Sequence, residues 1–355
     1  MKQNPYSLIA RWTDELAGVR PIDWSRLDGG RLLLTGCTGP FGLWILNRIS
    51  RACEREGLEL AETTLVTRCA ASAAPWLSLL STRCRLRVLE CDIRQIDAFK
   101  LDATHVIHGA TTAAQETTLG ASPVSKFDTV VDGTRSLIRS LSSGVPTRIV
   151  FLSSGIAYGN RSVQTLREDS DQAPCPLDTA AAVGHAKRAA EFLLACHAEK
   201  TGSTVNSARC FSFSGPGIPL DLHYAIGDFI RQAMTSDGIV IRGDGTQVRA
   251  YLHLGDMALW VLRLLTRDMP PGAAELVNVG SDEELNLREL AQRVASVVNP
   301  AARVQALGRT QANVSGNRIN RYVPCLKKAR HELGLRPWTP LEASIEQSAA
   351  WARSH

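Results

Sequence analysis

Three glycines that follow an apolar run form the first group of residues whose spacing indicates chemistry. They are Gly36, Gly39 and Gly42 in TGCTGPFG, between the run LLLTG and the helical pattern FGLWILNRISRACERE. The first glycine permits a tight turn, the second lets the backbone approach a pyrophosphate, and the third lets a helix pack on a strand. Amides at the start of that helix would point at the anion. The stretch predicts a dinucleotide-binding loop, and a plain tight turn is the alternative.

The elements around this loop predict a parallel sheet. Short apolar runs without strict alternation recur along the chain, as is typical of strands buried on both faces. The predicted strands are residues 32–36, 63–68, 86–92, 104–110, 148–155 and 203–211. Helical patterns separate them, most clearly at 125–142 and 180–199. Strands that alternate with helices of this length indicate right-handed crossovers and an α/β fold with a doubly wound parallel sheet, the Rossmann type.

The chain divides into a leader, a large domain and a smaller lobe. Residues 1–28 form a short amphipathic leader, and residues 29–210 form the predicted dinucleotide-binding domain, to which 238–266 return. Beyond the sixth strand, turn residues become frequent and the alternating pattern ends. We therefore assign residues 211–237 and 267–355 to a C-terminal substrate lobe that closes over the carboxyl ends of the strands, where ligands lie in such folds.

Composition and charge narrow the classes of partner. The net charge of +5 is spread along 355 residues without a basic block, which argues against nucleic acid as the main partner. No run approaches the roughly 20 apolar residues of a membrane span, and the N-terminus lacks the apolar region of a signal peptide. The nine cysteines form no Cys-x-x-Cys pair, so we expect reduced thiols in a cytoplasmic protein without a metal site.

Eight segments, in the right order, resemble the extended short-chain dehydrogenases, in particular the nucleotide-sugar epimerases and dehydratases. The segments are TGCTGPFG, CDIRQ, HVIHGATT, FLSSGIAYG, ARCFSFSGPG, RGDGTQVRAYLHLGDMA, LVNVGS and RYVPCLKKARHELGL. The likeness extends from about Gly30 to Trp351. It implies the fold given above, NAD or NADP as cofactor, and a nucleotide-activated sugar as ligand.

The resemblance also implies the chemistry. In that family, C4 of the sugar is oxidised by hydride transfer to the nicotinamide, while a tyrosine acidified by a nearby lysine takes the hydroxyl proton. Lys187 matches the lysine, which holds the nicotinamide ribose, and Ser154 matches a hydroxyl that helps to hold the sugar. Capping of the next segment is the alternative role of this serine. The tyrosine position, four residues before the lysine, is Val183.

Valine exchanges no proton, and a positioned acid/base typically contributes about a hundredfold to ten-thousandfold in rate. His185 is a titratable alternative, since histidine titrates near neutral pH. Two residues correspond to about 200° around a helix axis, which turns His185 away from the face of Val183. Two hypotheses therefore stay open: an enzyme with an atypical proton carrier, and a non-catalytic binding or regulatory subunit of the same fold.

The cofactor contacts follow from the resemblance. They are Gly36, Thr38, Gly39, Pro40, Phe41, Gly42, Arg68, Asp92, Ile93, Ala110 and Lys187. Asp92 matches an adenine contact. The second strand ends in VTRCAAS, with Arg68 and no carboxylate where an NAD-binding protein usually bonds the ribose 2′-hydroxyl. This favours NADP slightly, with Arg68 near the 2′-phosphate, and NAD is the alternative.

The substrate contacts implied by the resemblance differ from the family pattern at several positions. The contacts are Ser154, Ser212, Asp228, Arg249 and Arg321. Ser212 and Asp228 replace asparagines, and Cys325 replaces an aspartate. A carboxylate at 228 would repel a diphosphate unless it were protonated or turned away. Arg249 can pair with phosphate oxygens in a forked geometry, and a surface salt bridge is its alternative role.

Two further expectations concern the reaction type and the assembly. Members that eliminate water carry an Asp-Glu pair where this chain has Gly155 and Ile156, so epimerase-like or simple 4-keto redox chemistry is the better analogue. In the family, helices that match 125–142 and 180–199 form a four-helix dimer interface, so we expect a homodimer. Both helices carry apolar stripes, and packing of these stripes on the sheet alone is the alternative.

Overall fold

The computed structural model describes residues 5–18, 22–72, 77, 80–111, 120–142, 144–159, 165–222, 224–308 and 320–354. The strands are β1 (Arg31–Thr35), β2 (Glu62–Thr67), β3 (Leu86–Glu90), β4 (His105–His108), β5 (Arg148–Ser154), β6 (Thr204–Cys210), β7 (Ser212–Ser214), β8 (Gly238–Ile241), β9 (Val248–Arg249), β10 (Tyr251–His253), β11 (Ala274–Val279), β12 (Leu285–Asn286), β13 (Arg303–Ala306) and β14 (Arg321–Tyr322).

The α-helices follow the same chain order. They are α1 (Pro5–Ala17), α2 (Pro40–Arg55), α3 (Pro123–Ser140), α4 (Ala182–Thr201), α5 (Ala225–Thr235), α6 (Leu254–Thr266), α7 (Leu287–Val298), α8 (Lys327–His331) and α9 (Leu341–Ser354). Helices α3 and α4 are the two that the sequence predicts most clearly. Their bounds agree with the expected ranges to within a few residues, as usual for helix ends.

A central parallel sheet confirms the predicted doubly wound fold. In the described part of the chain it has seven strands, in the order β3-β2-β1-β4-β5-β6-β11. The order reverses between β1 and β4, which is where open α/β sheets bind their ligands. Helices α2 and α6 cover one face of the sheet, and α3 and α4 cover the other.

The burial of β1 explains why its sequence does not alternate. Side chains of a strand point to opposite faces in turn. Leu32 and Leu34 lie in the core beneath α2 and α6, whereas Leu33 lies in the core beneath α3 and α4. All three leucines are at most 1 % exposed. Because both faces are covered, these three successive positions are all apolar.

The smaller sheets belong to the C-terminal part of the molecule, which we predict to be the substrate lobe. They pair β8 with β13, β7 with β10, and β9 with both β12 and β14. Helices α5, α7 and α9 supply the apolar core of the lobe. Tyr322 of β14 lies opposite Arg249 of β9, which brings two segments from distant parts of the chain together.

The domain boundaries differ from the expected ones at two places. Strand β11, inside the range 267–355 that we assigned to the lobe, pairs with β6 at the edge of the central sheet. Strand β8, inside the range 238–266 that we returned to the large domain, pairs with β13 of the lobe. The alternating strand and helix pattern gives no sign of either pairing, because each joins segments that are far apart in sequence.

The leader contains a helix that packs on the rest of the molecule. Helix α1 contacts α2, α6 and α9. Ile9 and Trp12 are buried, and Asp14 accepts two hydrogen bonds from Arg51 of α2, at 2.7 and 2.6 Å. Tyr6 meets Trp351 edge-on, with ring centroids 5.3 Å apart. None of the helices that the structure describes is long and apolar enough to cross a membrane.

Candidate active site

The glycine loop leads from β1 into α2, and two of its glycines are required by backbone contacts. Gly36 has a φ of +68°, and a Cβ there would lie 2.4 Å from the backbone of Ala110. A Cβ at Gly42 would lie 1.7 Å from the carbonyl oxygen of Cys37. Gly39 differs, because it precedes the first turn of α2 and a Cβ there would meet no atom within 4 Å. The loop thus leaves open space at a helix N-terminus, which fits the pyrophosphate of a dinucleotide.

The other loop residues line the start of α2. Thr38, Pro40 and Phe41 are partly exposed. The ring of Phe41 meets that of Phe213 edge-on at a centroid distance of 4.9 Å. Because Phe213 belongs to β7, this contact joins the loop directly to the substrate lobe.

The expected adenosine end of the cofactor site lies at the carboxyl ends of β2 and β3. Arg68 follows β2 and is exposed. Asp92 accepts hydrogen bonds from Nε and Nη2 of Arg94 at 3.0 and 2.8 Å. These hydrogen bonds, together with the charge of Arg68, hold the pKa of Asp92 below its ordinary value. Ile93 is buried in the core beneath α3, so its side chain faces away from solvent.

Ser154 is the last residue of β5. Its Oγ accepts a hydrogen bond from the amide of Ile156 at 3.4 Å, so the serine caps the short turn that follows. The same Oγ lies 3.4 Å from the hydroxyl of Tyr322. Burial raises the pKa of Tyr322, whose hydroxyl also donates to the carbonyl of Cys210 at 3.3 Å. Capping and contact with a ligand are therefore compatible roles for this serine.

Lys187 stands on α4 and reaches the same end of β5. Its side chain is 4 % exposed, and Nζ donates to the carbonyl oxygen of Leu152 at 2.7 Å. Nζ also lies 4.6 Å from the ring centroid of Phe151. Burial lowers the pKa of Lys187 to about 8. Val183, one turn earlier on α4, is partly exposed.

The side chain of His185 makes its contact with the segment before α4 rather than with the end of β5. Its Nε2 lies 3.0 Å from the carbonyl oxygen of Cys175, in the segment that precedes α4. This contact holds the imidazole beside residues that come before the helix. The position of this contact agrees with the helical geometry, in which His185 points away from the face that Val183 and Lys187 share.

A buried ion pair that sequence reasoning missed supports the strand ends. Glu191 of α4 accepts two hydrogen bonds from Arg209 of β6, at 2.9 and 2.7 Å, and one from Oγ of Ser153 at 2.6 Å. The guanidinium of Arg209 lies 4.2 Å from the ring centroid of Tyr158. The Tyr158 hydroxyl donates to Oδ1 of Asn278 in β11 at 2.9 Å. The network joins α4 to three strands of the sheet.

One signal for this pair was present in the sequence. Glu191 follows Lys187 by four residues, which puts both on the same face of a helix. The partner of Glu191 lies on β6, and nothing in the spacing identifies it. Burial raises the pKa of Tyr158 to about 12, in keeping with a side chain that packs in the protein interior.

The two arginines of the expected substrate site lie on neighbouring strands. Arg249 donates to the carbonyl of Val248 at 2.8 Å, and its guanidinium lies 5.9 Å from the ring centroid of Tyr322. Burial lowers the pKa of Arg249. Arg321, one residue before Tyr322, is paired with Glu284 and donates to Oγ1 of Thr165 at 3.0 Å. A surface salt bridge is the alternative role that the sequence leaves open for Arg249, and the structure has such a salt bridge at Arg321.

The remaining expected contacts are Ser212 and Asp228. Ser212 begins β7, opposite Tyr251 of β10. Asp228 lies in the first turn of α5, where Arg231 pairs with its carboxylate and Nε2 of Gln232 donates to it at 2.9 Å. Its negative charge is therefore compensated by its own helix, which reduces the repulsion expected towards a diphosphate.

Position 155 has no room for a side chain. A Cβ at Gly155 would lie 2.7 Å from the hydroxyl oxygen of Tyr322 and 2.8 Å from the ring of Phe211. These two aromatic side chains fill the space directly after Ser154. Among the described residues, no group of three or more His, Cys, Asp or Glu side chains could hold a metal ion.

The fold and the glycine loop define a dinucleotide-binding protein of the Rossmann class. A model of the NAD dependent epimerase/dehydratase family matches residues 32–280. The chain belongs to this family, as the resemblance of its eight segments predicts.

Similar sequences include two UDP-glucuronic acid decarboxylases. UDP-glucuronic acid decarboxylase 1 of Danio rerio is 26% identical over 226 residues, which cover 64% of this chain and 52% of the relative. UDP-glucuronic acid decarboxylase 3 of Arabidopsis thaliana is 26% identical over 224 residues, which cover 63% of this chain and 62% of the relative. The chain thus matches between about half and three fifths of the length of these curated relatives.

Solved structures share the fold across most of the chain. The UDP-glucose 4-epimerase of Thermotoga maritima, solved with UDP-glucose, has a TM-score of 0.71 at 19% identity, covering 91% of this chain and 98% of that one. The dTDP-glucose 4,6-dehydratase DesIV of Streptomyces venezuelae, solved with NAD bound, has a TM-score of 0.72 at 21% identity, covering 92% and 97%.

Proposed function

We propose that this protein is an NAD(P)-dependent enzyme that acts on a nucleotide-activated sugar by hydride transfer at C4. The observation that carries the proposal is that Ser154 and Lys187 both lie at the carboxyl end of β5, beside the switch point of the sheet. The open space at Gly39 supports a dinucleotide there. Relatives named for UDP-glucuronic acid and structures solved with nucleotide-sugars support the substrate class.

The glycine loop, Lys187 and Ser154 have different binding roles in the proposed enzyme. The loop of Gly36, Gly39 and Gly42 takes the pyrophosphate at the N-terminus of α2. Lys187 holds the nicotinamide ribose, and the hydroxyl of Ser154 holds the reacting hydroxyl of the sugar. When bound, the dinucleotide supplies a nicotinamide that can accept a hydride and return it.

The proposed reaction is epimerase-like or a simple 4-keto oxidation or reduction. The contacts that a Cβ would make at Gly155 support this choice, because an acidic side chain cannot be added there without displacing Tyr322 or Phe211. Arg249 and Arg321 are the proposed ligands of the diphosphate, with forked hydrogen bonds to its oxygens. For Arg321, this requires exchange of its partner Glu284 for the ligand.

NADP is the proposed form of the cofactor. The support is Arg68 at the carboxyl end of β2, where its charge would lie near a 2′-phosphate. A cytoplasmic location and a homodimer through α3 and α4 are proposed as well. All nine cysteines are free thiols, which suits a reducing compartment. Phe192 of α4 and Leu177 just before it are 68 % and 90 % exposed, which supports an apolar contact with a second copy.

A second candidate function is supported by Val183. Without a phenol at this position, the protein would bind a dinucleotide and a nucleotide-sugar as a non-catalytic subunit or regulator. The two candidates differ in whether the bound cofactor changes its redox state.

The experiment follows the cofactor in the purified protein. The protein is incubated with NAD⁺ or NADP⁺ and with UDP-glucuronic acid, UDP-glucose or dTDP-glucose, beside a Ser154→Ala variant. Reduced nicotinamide is followed by absorbance and the sugar by mass spectrometry. We expect a reduced cofactor or an altered sugar that is diminished in the variant. Bound cofactor that never changes across the panel would instead support the non-catalytic subunit.

A further inference from the structure

A buried amine lies at the carboxyl end of β5, but the phenol that the family pattern places beside it is missing. Val183 and Lys187 are four residues apart on α4, so they share one helix face. The side chain of Val183 carries no exchangeable proton. Lys187 reaches from the same face to the carbonyl oxygen of Leu152, two residues before Ser154 on β5. The amine and the serine hydroxyl therefore lie at the same end of the same strand.

Lys187 is not held in its charged form by an ion pair. Within the described ranges, no carboxylate lies within ion-pair distance of its Nζ. The nearest acid on its own helix is Glu191, whose two oxygens bind Arg209 and Ser153. A buried lysine without a carboxylate partner loses its proton more easily than an exposed one, because burial disfavours the charged form.

We propose that Lys187 itself takes the proton of the sugar hydroxyl, the task that the family pattern assigns to the tyrosine. This inference rests on the proposed function. The C4–H bond breaks and its electron pair passes as hydride to the oxidised nicotinamide. The O–H bond breaks and its proton passes to Nζ of Lys187, across one water molecule at the place of the missing phenol. A carbonyl forms at C4, the amine becomes an ammonium, and the reverse step returns both.

Of the three titratable groups Lys187, His108 and Cys210, only Lys187 has a pKa near neutral pH. His108 of β4 lies between Thr35 and Thr134, and burial lowers its pKa to about 3, so it stays neutral. Burial raises the pKa of the Cys210 thiol of β6 to about 12. With the pKa of Lys187 lowered to about 8 by burial, about a tenth of the amine is neutral at pH 7.

The test uses Lys187→Arg, which keeps a positive charge but cannot give up its proton at ordinary pH. Lys200→Arg is the matched control, because Lys200 is exposed near the end of the same helix. Reduction of bound NAD⁺ or NADP⁺ by UDP-glucuronic acid and UDP-glucose is measured in single turnovers from pH 6 to pH 10. Dinucleotide affinity is measured separately by titration.

We expect the wild-type rate to rise with pH through a single ionisation near pH 8, as the neutral amine becomes available. Because Lys187 also holds the nicotinamide ribose in the proposed function, the rates are compared at saturating dinucleotide. Under that condition Lys187→Arg should lower the rate about a hundredfold or more and remove the ionisation near pH 8. Lys200→Arg should match the wild type. A wild-type rate that is independent of pH over this range would overturn the role of Lys187, as would a Lys187→Arg variant of undiminished rate.

A second variant, Val183→Tyr, separates this inference from the proposed function. Transfer in Val183→Tyr but not in the wild type would overturn the role of Lys187 and leave the proposed substrate class standing. No transfer in either protein would overturn both. Transfer in the wild type with the expected pH dependence supports Lys187 whether or not Val183→Tyr is faster.

Discussion

The proposed cofactor side and the proposed substrate side of the site differ in what fixes their residues. On the cofactor side, Gly36 and Gly42 occupy positions at which any Cβ would clash with backbone atoms. On the substrate side, Val183 and Asp228 depart from the family pattern, although the buried pair of Glu191 and Arg209 is complete. Residues that the folded backbone requires thus agree with the pattern, whereas residues proposed to touch a ligand agree with it at Ser154 and Lys187 but differ at Val183 and Asp228.

The largest expected effect comes from Gly42→Ala on the cofactor side. Its Cβ would lie 1.7 Å from the Cys37 carbonyl, so α2 has to move away from β1. We expect the free energy of unfolding to fall by about 4 kcal/mol or more, measured by urea denaturation.

Gly39→Ala is the matched control, since its Cβ would meet no atom within 4 Å. It should cost at most about 1 kcal/mol of stability and yet weaken dinucleotide binding. Equal stability of the two variants would show that the loop is not fixed by its backbone contacts.

On the substrate side, Glu191→Ala tests whether the buried pair supports the strand ends. Removal of the carboxylate leaves Arg209 buried without its partner, and we expect a loss of about 3–5 kcal/mol in the free energy of unfolding. Glu199→Ala, at an exposed position of the same helix, should change it by less than about 0.5 kcal/mol. A loss below about 1 kcal/mol in Glu191→Ala would contradict a supporting role.

Arg68→Ala sharpens the comparison at the adenosine end. A charge-assisted hydrogen bond to the 2′-phosphate contributes about 1.5–3 kcal/mol. NADP⁺ affinity should therefore fall about tenfold or more, with NAD⁺ affinity unchanged, in fluorescence titrations. Arg87→Ala, at an exposed position of β3, serves as the control. An equal change for both cofactors would argue against recognition of the 2′-phosphate by Arg68.

The smallest effect is expected for Asp228→Asn. The variant removes a negative charge that Arg231 and Gln232 already compensate, so UDP affinity should rise only about twofold to fivefold in calorimetry. Asp237→Asn, at an exposed position after α5, should leave UDP affinity unchanged. A gain beyond about tenfold would mean that the compensation is incomplete in solution.

The features that the sequence predicts are those that depend on residues close together in the chain. The glycine loop, the strands of the large domain and helices α3 and α4 follow from spacing and from apolar runs. The approach of Ser154 and Lys187 to one strand end follows from the resemblance. Each of these features depends on residues close together in the chain or on a matched motif.

The other features depend on partners far apart in sequence. Spacing does not show that β11 closes the edge of the central sheet beside β6, or that Glu191 pairs with Arg209. Nor does it show that Tyr322 fills the space at Gly155. The pairing of β11 with β6 and the contact at Gly155 form only once the C-terminal part of the chain has folded back on the large domain, so the local sequence does not indicate them.

The contact between Tyr6 and Trp351 joins segments that the ribosome makes at very different times. Helix α1 emerges shortly before α2, whereas α9 emerges only after the rest of the lobe. Until then, α1 can form only its contacts with the earlier helices. Because domains fold largely in the order of their synthesis, the complete docking of α1 is a late event. Protection of α1 from proteolysis would therefore report that a newly made chain has finished folding.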